Sequence, residues 1–358
     1  MNGSSSSPPP LLEQVLSRYL KEPSIALSPD KRQSLANQIL SDSQRARAFG
    51  ITPSTIEADV NNRLEWLRSV YSELDRFCCT QLGWNACPLA TLWDLWLPIA
   101  IQIAAAQQDL GRVLIQGISG GQGTGKTTLT LILGQILNLM GYPTCHFSID
   151  DLYKTYAERQ QLQHDDPRFR WRGPPGTHDV KLGLSLLHQL RQAVYPVAIP
   201  RFDKSAHRGA GDRTIPERVR LANIVLFEGW FVGMRPLDPI VFETAPPPIV
   251  TDADRAFACE INQRLYEYLP LWDQLDRLIV LYPTDYRLSQ HWRQQAEQEM
   301  IASGKSGMGE WEIHEFVEYF WRSLHPQLFI PPLLQDADHV NLVIEINADH
   351  VPQRVYCP

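Results

Sequence analysis

The chain has no CxxC pair among its six cysteines (Cys78, Cys79, Cys87, Cys145, Cys259 and Cys357), and no histidine stands at zinc-finger spacing from them. That excludes a metal-stapled framework and points to a reduced, cytoplasmic protein. No apolar run approaches the ~20 residues that span a bilayer. The nearest, 92–106, contains Asp94 and Pro98 and is too short, so no membrane partner is expected. The opening MNGSSSSPPP has neither a basic n-region nor an apolar h-region, which excludes a secretory signal and leaves 1–10 as a disordered leader. An excess of positive charge is also missing. The net charge of −7 argues against a general nucleic-acid binder, so any local basic patch calls for its own explanation.

What is present is ordinary for a globular protein: 358 residues, 44% hydrophobic and 20% charged. From 11 to 110 the pattern is helical. Ile56, Val60, Leu64, Leu67 and Tyr71 share one helix face, and Leu89, Leu92, Trp93, Trp96 and Ala100 share another that Pro98 interrupts. The tryptophans read as core. Beyond 111, apolar β-rich runs at 112–119, 144–149, 223–227, 277–281 and 340–346 alternate with helical patterns. That alternation predicts an α/β fold with a mostly parallel sheet and helices on both faces. The expected organisation is thus a helical N-terminal extension over 11–110 and a nucleotide-binding domain over 111–358.

The strongest local signal is VLIQGISGGQGTGKTTLTLILGQIL, in which Gly120, Gly125, Lys126 and Thr127 satisfy G-x-x-x-x-G-K-[ST] between an apolar strand and an amphipathic helix. This is a P-loop, and it predicts ATP as ligand. Gly120, Gly121, Gln122, Gly123, Thr124, Gly125, Lys126, Thr127 and Thr128 would wrap the phosphates with backbone N–H groups at a helix N-terminus. Lys126 is expected on the β- and γ-phosphates and the Thr127 hydroxyl on Mg2+.

Carboxylates narrow the chemistry. CHFSIDDLY sets Asp150 and Asp151 at the end of the next strand, where a carboxylate takes a hydroxyl proton, holds metal or caps the following turn. NIVLFEGW ends a strand on Glu228, which suits metal-bound water. PRFDKSAHRGAGDR crowds Arg201, Lys204, Arg208 and Arg213 around His207 in an acidic protein. Lys204, Arg208 and Arg213 are the candidates for small anions, with Arg201 expected to pair with Asp203 or another acid. In RWRGPPGTHD, Arg172 suits a carboxylate, and Thr177 and His178 suit hydroxyls. A rigid turn followed by a helix cap is the competing reading of Thr177 and Asp179. TDYRLSQHWRQQAEQEMIASG reads as a polar helix from Thr284 to Gly304, and Trp311, Phe316, Val317, Phe320 and Trp321 downstream read as core.

GGQGTGKTT, SIDDLY, RGPPGTHD, IPRFDKSAHRGAGDR and LFEGWFVG, in this order, resemble the D-glycerate 3-kinases of plants, fungi and cyanobacteria, over roughly 88–347. These belong with phosphoribulokinase, uridine kinase and bacterial pantothenate kinase. The resemblance implies a P-loop NTP hydrolase fold with a helical lid over about 284–325. It implies γ-phosphoryl transfer from ATP, with Mg2+, to the 3-hydroxyl of D-glycerate in photorespiratory or salvage metabolism. Asp150 matches the base, Lys126 the phosphate lysine, and Thr127 and Glu228 the magnesium positions. Arg208 joins Lys126 and Asp150 as a catalytic candidate, and Tyr153 joins the substrate contacts. An arginine of the lid reaches over the phosphates in related kinases, and Arg287 and Arg293 are the candidates here. WRSLHPQLFI departs from the family's usual Tyr-x-Pro-Ala-Tyr segment. The expected partners are D-glycerate and ATP alone, acting on a monomer.

Two rivals frame the expectation. Another small-molecule kinase of the group is one, although the P-loop cysteine of thiol-regulated phosphoribulokinases is absent and a cationic acceptor region suits an anion better than a nucleoside. A nucleotide-dependent switch or assembly ATPase is the other, but no NKxD-like guanine motif is present.

Overall fold

Apolar runs that alternate with helices become a sheet when each strand can be buried on both faces. The computed structural model describes residues 11–22, 27–302 and 309–358. The leader expected over 1–10 and the helix stop expected at Gly304 lie outside the described residues. The strands are β1 (Leu114–Gly120), β2 (Thr144–Ser148), β3 (Val197–Asp203), β4 (Asp212–Val219), β5 (Ile224–Gly229), β6 (Arg277–Pro283), β7 (Leu342–Ile346) and β8 (Pro352–Tyr356). Six of them form one sheet in the order β2-β5-β1-β6-β7-β8, parallel except for β8. All five strands expected from the sequence are present. The antiparallel pair β3–β4, which forms a sheet of its own, and the edge strand β8 are additional. β3 and β4 escape notice because basic and proline residues interrupt their alternation.

The chain divides into two compact units, 107–130 with 143–358, and 1–106 with 131–142. In the first, β1 and β5 are buried at every position, and Phe147, Phe227, Phe231, Tyr268 and Trp272 build an aromatic core beside them. The carboxyl ends of three strands lie in register, Ser148 of β2 and Ile118 of β1 both opposite Glu228 of β5. The site is therefore built on rigid elements before any loop is considered. Trp311 is the exception among residues expected in the core. It is 76% exposed on the helix Glu310–Ser323, whereas Val317 and Phe320 of the same helix are buried. The helix before it begins at Leu288 rather than Thr284, because Asp285 first accepts the Arg287 N–H in a turn.

The second unit is helical. Its core includes Leu16, Leu35, Leu67, Leu74, Leu92 and Trp93, drawn from the helices Leu11–Lys21, Pro29–Ser41 and Ile56–Gln81 and the segment after Leu89. Pro98 does not interrupt the last helix. A π-helical stretch, Leu92–Trp96, precedes it and continues directly into Leu97–Leu110. The wider i→i+5 bonding absorbs the missing N–H and the ring that would strain an ordinary turn. Leu89–Leu110 consequently makes a 22-residue helical run, longer than the sequence pattern marks off, whose most apolar 18-residue window has a mean hydropathy of 1.5. Its length and composition match a membrane span, but 61% of its most apolar window is buried inside the protein, as in a core helix.

Candidate active site

The P-loop leaves β1 at Gly120 and enters the helix Lys126–Leu139. Gly123 and Gly125 hold φ of +77° and +84°, which other residues rarely adopt, and a Cβ on Gly123 would lie 2.6 Å from Trp292. Thr124 Oγ1 and Lys126 Nζ both donate to Gly121 O, at 2.9 and 2.8 Å, so the loop closes on itself. Partial burial lowers the Lys126 ammonium pKa, and Glu228 and Asp150 oppose the shift. Thr127 Oγ1 donates to Glu228 Oε1 at 3.2 Å, and Glu228 is only 8% exposed. The residues of the phosphate loop and the strand-end carboxylate are thus brought together.

Asp150 and Asp151 sit side by side in a 3-10 turn, Ile149–Leu152, that Ser148 caps, yet their carboxylates do different things. Asp151 is fully engaged inside the protein. It accepts from Ser148 N (2.9 Å), Arg201 Nη1 (3.0 Å) and Phe202 N (3.3 Å). Asp150 accepts from Lys204 Nζ at 2.6 Å and from the Tyr153 hydroxyl. Burial works to raise its pKa, but Lys204, His178 and the Tyr153 hydrogen bond outweigh it and hold the carboxyl below its ordinary value. Asp150 is therefore an ionised base with one movable cationic partner.

The basic stretch is the β3–β4 hairpin, and most of its charges have partners. Arg201 pairs with Asp151 and Glu217 rather than with Asp203, whose carboxylate accepts from Ser205. Arg213 donates to Tyr153 O and to Asp179 Oδ2, both at 2.9 Å. His207 lies flat on Tyr156, with ring centroids 4.0 Å apart, and reaches Asp212. Among the described residues Arg208 has no hydrogen-bond or ion-pair partner and is exposed. Its turn holds left-handed backbone at His207, Arg208, Gly209 and Gly211. That conformation aims carbonyls at two arginines: Arg172 donates to Gly209 O and Ala210 O, and Arg159 to Ala210 O and Gly211 O.

RWRGPPGTHD divides its labour in the same way. Thr177 Oγ1 donates to Pro174 O and accepts from Gly173 N, closing the turn, and Asp179 caps Val180–Arg191 through Leu182 N. His178 alone points elsewhere. It is 3% exposed, stacks on Tyr153 at 4.6 Å, and takes Tyr268 OH at Nδ1 (2.8 Å). Of the two lid arginines, Arg293 pairs with Glu297 and lies close enough to Arg172 to feel its charge. Arg287 lies exposed against Tyr286 and Asp285.

Three residues of the site carry no sequence signal. Tyr268 supports His178. Trp292 packs against Gly123, and His350 stacks on Trp292 and approaches Gly123 O at 2.6 Å. Tyr268 and His350 belong to no motif, Trp292 lies in the lid helix beside Arg293, and each arrives from a distant part of the chain.

A Gly-rich loop at a helix N-terminus, backed by a strand-end glutamate and facing an ionised aspartate, defines a P-loop kinase acting on an alcohol. The chain is 30% identical over 330 residues to the chloroplastic D-glycerate 3-kinase of Arabidopsis thaliana, covering 85% of this chain and 69% of that one. It belongs to the D-glycerate 3-kinase family. An uncharacterized kinase of Schizosaccharomyces pombe, mug58, is 33% identical over 241 residues, covering 64% of this chain and 86% of its own. The solved D-glycerate 3-kinase of Cryptococcus neoformans var. grubii superposes with a TM-score of 0.65 at 25% identity, over 74% of this chain and 99% of that one. No family model matches the sequence.

Proposed function

We propose that the protein transfers the γ-phosphoryl group of ATP to the 3-hydroxyl of D-glycerate. The observation that carries this reading is Asp150. It is an ionised carboxylate at the carboxyl edge of the sheet, paired with Lys204 and Tyr153 beside the P-loop. The acceptor O–H gives its proton to Asp150 as its oxygen bonds to the γ-phosphorus, and the bond from that phosphorus to the β-phosphate oxygen breaks, releasing ADP. Lys126 and the P-loop N–H groups hold the phosphates. Lys204 and Arg172 provide charge for the glycerate carboxylate, and Arg208 and Arg293 provide charge over the phosphoryl group in transit. Asp151, Thr177 and Arg213 act by holding Tyr153, His178 and the hairpin in place.

Thr127 and Glu228 are hard oxygen donors in contact, which suits Mg2+. No cluster of three or more histidine, cysteine or acidic side chains able to hold a metal exists among the described residues. When bound, Mg2+ supplies neutralisation of the phosphate oxygens.

The test is ADP release with Mg·ATP and separate acceptors: D-glycerate, pentose phosphates, nucleosides and pantothenate. Release that depends on glycerate, with 3-phosphoglycerate as product, is expected. Release that is independent of glycerate, or a 2-phosphorylated product, overturns the assignment.

A further inference from the structure

His178 holds a buried nitrogen that the protein itself leaves without a partner. Its Nε2 has no hydrogen bond, whereas Nδ1 lies 2.8 Å from Tyr268 OH. Tyr268 is fully buried in the 3-10 turn Leu265–Tyr268, and its oxygen already accepts the Gly176 N–H at 2.9 Å. The hydroxyl has one proton to give. If His178 Nδ1 carried the hydrogen, that hydroxyl proton would be stranded in the core and Nε2 would be a bare, unpaired acceptor. Buried polar groups avoid such arrangements. With Tyr268 donating to Nδ1, every atom of the pair is satisfied except Nε2–H.

The surroundings explain why the ring should stay neutral. Asp150, Lys154, Tyr153 and Tyr268 are the charged and titratable groups around it, with Phe231 on a further side. Tyr153 is shared: its ring stacks on His178 and its hydroxyl donates to Asp150. An imidazolium here would pair with Asp150 and remove the charge that a base needs. Burial drives the His178 pKa down to about 3, with Asp150 opposing and Lys154 assisting.

We propose that Tyr268 is a positioning residue that locks His178 as the Nε2–H tautomer, giving the acceptor site a neutral donor beside Asp150. Resting on the kinase reading above, this assigns the reacting alcohol two partners. Its proton goes to Asp150, one lone pair accepts Nε2–H, and the other lone pair stays free to attack phosphorus. A recognition pair of this kind favours an uncharged hydroxyl over a phosphate ester at the same point, since an acceptor-only oxygen would face the Asp150 carboxylate.

The tautomer is read directly from nitrogen chemical shifts of the full-length protein labelled with 15N-histidine, with no substrate needed. A protonated Nε2 and a bare Nδ1 are expected for His178, and the reverse pattern overturns the proposal. In turnover, Tyr268→Phe should keep the KM for ATP and lose roughly tenfold in kcat, the scale of one misdirected hydrogen bond. Wild-type kcat in Tyr268→Phe overturns the proposal. His178→Gln keeps an N–H near the Nε2 position and should outperform His178→Leu, and equal loss in both counts against the proposal. Should Tyr268→Phe fail to fold, the spectra and the Gln/Leu pair decide. A wild-type protein that ignores glycerate would sink the substrate reading while leaving the tautomer measurement intact.

Discussion

The P-loop and the β3–β4 hairpin face the same reaction but are built by opposite means. The P-loop is shaped by backbone: Gly123 and Gly125 at positive φ, and Lys126 and Thr124 tied to the Gly121 carbonyl. The hairpin is shaped by charge. Arg201, Lys204 and Arg213 bond Asp151, Asp150 and Asp179, and Arg159 and Arg172 grip the carbonyls of its turn. A glycine cradle fits one ligand group, polyphosphate, and announces itself in a motif. A web of ion pairs can exchange one partner for another, which suits the side of the site that must admit and release a small anion. Arg208 stands outside the web, on backbone whose left-handed φ of +58° costs roughly 1 kcal/mol for a residue other than glycine.

Asp150 is where the two constructions meet, so its removal should have the largest effect. Asp150→Asn keeps the shape and the Tyr153 contact but loses the charge. Turnover should fall by about 10² to 10⁴ with ATP binding unchanged, read by steady-state kinetics and nucleotide titration. A kcat within a few-fold of wild type would remove Asp150 as base and leave the hairpin without its catalytic target.

Arg208 and Arg213 separate next, because one is free and the other is woven in. Arg208→Ala should lower kcat/KM for glycerate by roughly 10- to 100-fold without moving Tm, since no protein contact is lost. Arg213→Ala should lower stability by about 1–2 kcal/mol, measured by denaturant titration, through loss of the half-buried Asp179 pair and the Tyr153 carbonyl contact. If the two variants lose stability equally, the division of the hairpin into structural and free charge is wrong.

This division also marks where the sequence stops being readable. The P-loop, the strand-end position of Asp150 and Glu228, and the five parallel strands all follow from local patterns, because glycine geometry and strand burial act within a few residues. Which cation is spoken for does not. Arg201 and Arg213 find their acids 50 and 34 residues away, and no spacing rule encodes those encounters. Tyr268 reaches His178 across 90 residues for the same reason. Pro98 misled in the opposite direction, since a π-turn just upstream cancels a local rule that normally ends helices. Trp311 shows that a helical apolar period can run one turn past the surface it packs on.

The smallest expected effect tests whether Lys204 is the exchangeable strand of the web. Lys204 is 62% exposed, so its pair with Asp150 should contribute little to stability, under about 1 kcal/mol. Its influence on the proton should be larger than its influence on the fold. In the free enzyme burial raises the Asp150 pKa, while Lys204, His178 and Tyr153 together hold it below 3.8. A depressed carboxylate stays ionised above its folded-state pKa and protonates only as pH falls through it. Lys204→Met removes the strongest of the lowering influences, so Asp150 should protonate at higher pH. The acid limb of kcat/KM should then move upward while Tm at neutral pH stays within a degree or two of wild type. An acid limb that does not move would mean that Tyr153 and His178 hold the charge of Asp150 without help from the hairpin.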